Sequence, residues 1–310
     1  MKNSIVIEHF PNKKSIVYDG TKQFEAKCIN CKNKLCMKYL KSEIQNDYAK
    51  IPTNIDDNVC PVDAITNKGN RIIIDNDRCI KCGLCASRCL TGAIYYENNK
   101  FVVSDISTGD NESVYKSATH KGQIISESDE LLNNIYENIL RKSVNPNIIT
   151  RNLLNECGIQ TVLSRKGDVN LRMDAIIFNN EKRGICEIEF NNDVLSCPRC
   201  ILDDLAVLCS RYDYDLDETL ALVVALGLPN NRTDYWRVVK DINDVLNIQI
   251  QTISIGMLLI AMWNFKKINL IEKELYKNCD DNSLKNNMEV LLNRKVNIIS
   301  DDNSILDTLK

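Results

Sequence analysis

Histidine is scarce: His9 and His120 are the only two in a chain of 310 residues. Metal chemistry here must therefore lean on sulfur and carboxylates. No run of about eighteen uninterrupted apolar residues occurs, which argues against a membrane-spanning helix. The nearest approach, Ile253 to Trp263, is short and reads as a buried strand. The start, MKNSIVIEHFPNKK, has no apolar stretch ahead of a small-residue cleavage site, so no secretory signal is expected. Positive charge is not in excess either. The formal net charge is −3, and no global basic field advertises nucleic acid. The expected location is the cytosol, where disulfides are rare.

What is abundant is cysteine, at fourteen residues. In a reducing compartment these read as metal ligands or inert core thiols. The length suggests two domains, and 44% hydrophobic residues suffices for real cores.

Eight cysteines lie in the first ninety residues. Cys28, Cys31 and Cys36 form one run, CINCKNKLC; Cys60 precedes Pro61 in CPVDAI. Cys79, Cys82, Cys85 and Cys89 follow at C-x2-C-x2-C-x3-C spacing. Thiolates this close on a tight loop can hold three corners of an iron–sulfur cube, and the fourth corner must come from elsewhere. Four thiols per zinc, or buried free thiols, is the alternative. Zinc sites typically use two CxxC knuckles separated by a longer loop, a scheme that three-cysteine runs with a distant Cys-Pro do not fit.

Residues 60–94 resemble a bacterial-type ferredoxin with two [4Fe–4S] clusters. CPVDAI and CLTGAI resemble each other as the two halves of that family do, and the strand-like RIIIDNDRC between them matches. In that family the last cysteine of each run serves the other cluster. The resemblance implies one cluster on Cys79, Cys82, Cys85 and Cys60, and a second on Cys28, Cys31, Cys36 and Cys89. Ile65, Ile72, Ile74, Ile80 and Ile94 are expected to form a dry shell around them. Two departures stand out. The first run reads C-x2-C-x4-C and is followed by twenty-three residues before Cys60, an insert expected to cover a cluster. Leu90 also stands where the family usually has proline.

Residues 1–107 are thus expected to be an α+β ferredoxin-like domain, and the polar, glycine-dotted stretch 108–123 a linker. From 124 to 265 the pattern changes to an α/β domain with a mixed sheet. SESDELLNNIYENILRK reads as a helix capped by Ser126, and a second helix spans roughly 148–157. LRMDAIIF and RGICEIEF read as a hairpin, and SCPRCILDDLAVLCSRY as a helix capped by Ser196. A strand at 219–229, a helix at 233–246 and a long strand at 247–263, with a helical end allowed, complete the order. Residues 266–310 read as a helical and polar tail.

Pairing the hairpin so that Phe178 faces Arg183 sets Asp174 opposite Glu187 and Arg172 opposite Glu189, all on one face. Opposed like charges destabilise a strand pair, and a divalent cation reverses that sign. The α-β-β-α-β order with D…E-x-E on its hairpin resembles the PD-(D/E)XK nuclease superfamily, whose fold is restriction-endonuclease-like. The resemblance implies that Asp174 and Glu187 bind Mg²⁺, while Glu189 stands where that family's lysine belongs and would orient the attacking water. A solvated hairpin face with Arg172 and Glu189 paired is the plainer reading. Cys157, Cys186, Cys197, Cys200, Cys209 and Cys279 read as inert thiols, although SCPRC is a CxxC at a helix start.

The expected function is electron transfer or redox sensing by two [4Fe–4S] clusters, coupled to a metal-dependent nuclease-like domain. A redox protein partner is expected, and DNA or RNA if the nuclease reading holds. The rivals are an electron-transfer subunit whose second domain docks an oxidoreductase, and a fold merely stapled by its clusters.

Overall fold

The computed structural model describes residues 7–10, 17–18, 23–24, 28, 31, 33–45, 53–89, 93–97, 100–103, 123–125, 128–165, 172–230, 233–272 and 289–291. The expected linker falls outside these save Gln123, as do Leu90, Ser126, Cys279 and most of the tail.

In chain order the strands are β1 (Ile7–Phe10), β2 (Val17–Tyr18), β3 (Gln23–Phe24), β4 (Ile65–Lys68), β5 (Arg71–Ile74), β6 (Ile94–Glu97), β7 (Lys100–Val103), β8 (Gln123–Ile125), β9 (Gln160–Leu163), β10 (Ala175–Asn179), β11 (Lys182–Glu189), β12 (Thr219–Ala225) and β13 (Ile250–Ser254). The helices are α1 (Lys41–Ile44), α2 (Leu84–Ser87), α3 (Ser128–Arg141), α4 (Pro146–Glu156), α5 (Cys197–Tyr212), α6 (Tyr235–Leu246) and α7 (Ile255–Trp263). Among the described residues, no helix is long and apolar enough to cross a membrane.

Contacts divide the chain into two compact units that do not follow linear boundaries. The cysteine-rich unit comprises Ile7–Leu40 and Asn58–Val144; Lys41–Asp57 and the chain from Asn145 onward belong to an α/β unit. Helix α3 therefore groups with the cysteines. Just after its end, the Lys142 Nζ donates to the carbonyls of Asp77 (2.8 Å) and Cys79 (3.1 Å).

The insert was expected over a cluster, and its second part behaves differently. Helix α1 packs on β9, Thr53 bridges to Ser164, and the Asn54 N–H donates to Leu163 O at 2.9 Å. Arg151 on α4 is fully buried and donates to the carbonyl of Asp56 and to Asn152 Oδ1. A buried guanidinium needs such acceptors, and the insert supplies one.

The cysteine-rich unit is a set of two-stranded antiparallel pairs: β1 with β8, β2 with β3, β4 with β5, and β6 with β7. The β4–β5 hairpin follows the CPVDAI segment, and β6–β7 follows CLTGAI, so the sequence repeat is also a structural one.

The α/β unit holds a five-stranded sheet ordered β13-β12-β11-β10-β9. Strands β9, β10 and β11 run antiparallel, whereas β11, β12 and β13 run parallel, which makes the sheet mixed. The edge strand β9 was absent from the sequence reading, because QTVL is only four residues long and carries no alternation. The hairpin register is as read, with Phe178 opposite Arg183. Its polar face is not solvated, however. Helix α5 packs on β11, and Ile176, Ile185, Ile201, Leu205 and Val239 share one core. The stretch read as a long strand keeps the strand only to Ser254. The Ser254 side chain then accepts the Met257 N–H and starts α7, whose residues are all buried. A helix apolar on every side shows no 3.6-residue period, so strand and helix look alike in sequence. Ser196 does not cap α5 with its side chain; its hydroxyl donates instead to Asp193 O at 2.7 Å.

Candidate functional site

The eight N-terminal thiols gather in two sets. Burial pushes Cys36 up to about 12, and the next causes are its neighbours Cys89, Cys28 and Cys31. Cys31 is likewise raised, and it too feels Cys89 and Cys28. Burial raises Cys82, which feels Cys60 and Cys79, and Cys85, which feels Cys82, Cys79 and Cys60. Cys85 also feels Cys36 of the other set, so the two sets stand close together. Thiols so raised are neutral at ordinary pH. Only a cationic centre would draw off their protons, so metal binding here must release them.

Backbone amides point at the sulfurs. Cys28 Sγ accepts from the Ile72 N–H at 3.2 Å, and Cys60 Sγ from that of Ala64 at 3.2 Å. Cys79 Sγ accepts from Lys81 at 3.3 Å, and Cys89 Sγ from Ile94 at 3.4 Å. Lys81 has φ 62° and Gly83 φ 85°, the left-handed turns that let so short a loop curl around a guest. Ile65, Ile72, Ile80 and Ile94 are buried as expected of a dry shell; Ile74 is half-buried.

The C-x4-C loop contributes a cation that the sequence reading did not single out. Lys34 Nζ donates to the Cys28 carbonyl and stands 3.8 Å from Cys28 Sγ. Arg88 ties the first loop to the second: its Nε donates to Leu35 O at 2.9 Å, and its guanidinium lies 3.7 Å from the Tyr39 ring centroid.

Among the described residues, no three Cys, His, Asp or Glu side chains converge tightly enough to hold one metal ion. A tetrahedral zinc site requires such convergence. An iron–sulfur cube takes one thiolate per iron, and an all-cysteine donor set fits such a group.

In the α/β unit, Asp174 sits just before β10 and lies one step beyond the Ala175–Cys186 pair, hence opposite Glu187. Both its oxygens are engaged: Oδ1 accepts from Asn147 Nδ2 at 3.0 Å and Oδ2 from the Ile188 N–H at 2.9 Å. Burial nonetheless raises its pKa, those two bonds opposing the rise. Glu189 Oε1 accepts the Asn191 N–H at 2.8 Å. Glu187 faces Asp204, a residue of α5 absent from the sequence-derived set. Burial, then the Asp204 carboxyl, then the charge of Asp174 push Glu187 up to about 10. No local signal could have found Asp204, because only the docking of α5 on β11 brings it in. Cys186 and Cys197 are buried thiols raised chiefly by burial, whereas Cys200 is exposed.

Residues 72–95 match the sequence profile of the 4Fe-4S binding domain family. An uncharacterized ferredoxin of Methanocaldococcus jannaschii is 52% identical over 40 residues, covering 13% of this chain and 26% of that protein. A second uncharacterized ferredoxin of the same organism is 34% identical over 74 residues, 24% of this chain and 44% of the relative. A protein named ferredoxin 7Fe from Hydrogenibacillus schlegelii is 48% identical over 40 residues, 13% of this chain and 51% of the relative. The chain thus spans from a quarter to a half of the length of these relatives. No solved structure matches it. The chain carries a ferredoxin-type iron–sulfur domain and an α/β unit built on a mixed five-stranded sheet.

Proposed function

We propose that the protein is a one-electron carrier with two [4Fe–4S] clusters, one on Cys28, Cys31, Cys36 and Cys89, the other on Cys60, Cys79, Cys82 and Cys85. The single observation that carries this reading is the gathering of eight thiols into two interleaved sets. When bound, such clusters supply reversible storage of single electrons. The chain's own residues do the rest. The buried isoleucines exclude water, and the four amide donors stabilise negative charge on sulfur, which raises the potential. The proximity of Cys36 to Cys85 makes a short path between the sets. A soluble redox protein is the partner such a carrier requires. Reduction by dithionite, followed by low-temperature EPR of the anaerobic protein, tests the reading: two interacting reduced clusters are expected.

For the α/β unit the reading is metal-dependent phosphodiester chemistry, resting on likeness to the PD-(D/E)XK superfamily. Support comes from Asp174 opposite Glu187 at the carboxyl end of β11, the end of parallel strands where open α/β sheets place ligands. Glu189 in place of lysine counts against efficient catalysis. Mg²⁺ fits a site with two carboxylates and several waters. DNA or RNA is the substrate class, and cutting of a plasmid with Mg²⁺ or Mn²⁺ is the test.

A further inference from the structure

We propose that the α/β unit binds a small organic cation, an amine on a short carbon body, in a cavity at the leading ends of β11, β12 and β13. This end of the parallel strands is opposite to that of Glu187, and the site depends neither on the clusters nor on a divalent ion.

The cavity measures about 490 Å³, within the roughly 300–1,000 Å³ of small-molecule sites. Lys182 opens β11, Thr219 opens β12, and Gln251 is the second residue of β13. All three line the cavity, with Asp217 and Glu218 just ahead of β12 and Asn243 and Asn247 at the end of α6. The walls are tied together at two points. Lys182 Nζ pairs with Glu218 at 2.9 Å, which joins β11 to the segment before β12. Gln251 Nε2 donates to Leu270 O at 2.7 Å, which holds the chain beyond α7 against β13.

Gln251 is the buried member of this lining. It is only 4% exposed, and its Oε1 finds no hydrogen-bond donor. A buried amide oxygen left unmatched is costly, and a guest carrying N–H groups offsets that cost. The last torsion of a glutamine is soft, so the amide can turn its oxygen to such a guest.

The charges select the sign of the guest. Asp217 and Glu218 bring two carboxylates against the single ammonium of Lys182, which Glu218 already engages. Among the described residues Asp217 enters no ion pair of its own. Helix α6 presents its C-terminal end here, the negative pole of its dipole. An anion is therefore disfavoured and a cation favoured. A bare metal ion does not account for the site: the space is far larger than an ion needs, and among the described residues no three ligand side chains converge on one point. Leu216 and Ile271, both exposed, also line the cavity and offer apolar surface to a carbon body.

The test is calorimetric titration of the whole chain, purified anaerobically, with putrescine, agmatine and spermidine, and with succinate as an anion of putrescine's length. At least one amine should bind once per chain with Kd below about 1 mM, and more weakly as salt rises. Succinate should not bind. Gln251→Met, which keeps the length but removes the oxygen, should weaken amine binding about tenfold, and Asp217→Asn about fivefold. Thermal melting checks that each variant folds; should Gln251→Met fail to, the exposed Asp217→Asn decides alone. Asp203→Asn, an exposed acid near the start of α5 and thus at the other end of the strands, should leave binding unchanged. Absence of saturable amine binding would overturn the proposal. So would succinate binding as well as the amines do, or amine binding indifferent to the Gln251 and Asp217 changes.

Discussion

Lys34 folds back on Cys28, its ammonium bonding the cysteine's carbonyl and lying 3.8 Å from the sulfur. Lys34 belongs to the C-x4-C spacing by which the first run departs from the C-x2-C-x2-C of the second. The longer loop thus places a fixed positive charge at one set of thiols. A positive charge favours the reduced, more negative form of a cluster.

Lys34→Gln should therefore lower the potential of one cluster by on the order of 50 mV and leave the other nearly unmoved. A redox titration followed by EPR reads both. An equal shift in the two clusters, or none, would contradict the placement of the lysine.

Because the sets interleave, Cys89→Ala should empty the site of the first loop, although Cys89 is contiguous with the second run. Cys85→Ala should empty the other. Iron per chain should fall by about half in each variant. The cluster that survives in Cys89→Ala should be insensitive to Lys34→Gln, and the one that survives in Cys85→Ala should respond to it.

The cysteine sets were legible because a cluster fixes thiol spacing within a few residues of chain. The hairpin register was legible too, since alternating polarity leaves one pairing, although the strands run one pair further than read, to Asn179 opposite Lys182, and leave a loop of two residues instead of four. Other features depend on what packs from a distance. In sequence Glu187 reads as a metal ligand or, more plainly, as part of a solvated face, and only the packing of α5 on β11 shows that face covered; Asp204 has no neighbour in sequence to announce it. Ile255–Trp263 looked like a strand because it is buried on all sides and shows no period. The second part of the insert packs on β9, a short strand whose own sequence gave no signal.

Glu187 makes stability depend on pH. Its folded value, about 10, lies above the ordinary 4.5. The folded state then holds a proton that the unfolded chain releases. This group's contribution is full below pH about 4.5 and is lost as pH rises toward about 10. With a chelator present, the melting temperature of the α/β unit should decline across that window, and Glu187→Gln should flatten the decline. A melting temperature that rises across the window in the parent chain would contradict the buried pair.

Gly184 on β11 lets β12 approach. A Cβ built there would meet Leu220 Cβ at 2.6 Å and overlap the Leu220 carbonyl oxygen. Gly184→Ala should destabilise the α/β unit by about 1–3 kcal/mol, seen in chemical denaturation, while the visible absorbance of the clusters is unchanged. A neutral result would mean that β11 and β12 are not so close.

The most direct measurement is iron and acid-labile sulfide per chain in a strictly anaerobic preparation, with zinc measured alongside. The account predicts about eight of each, with negligible zinc. A colourless protein carrying zinc alone would contradict it, and about four of each would confine it to a single cluster.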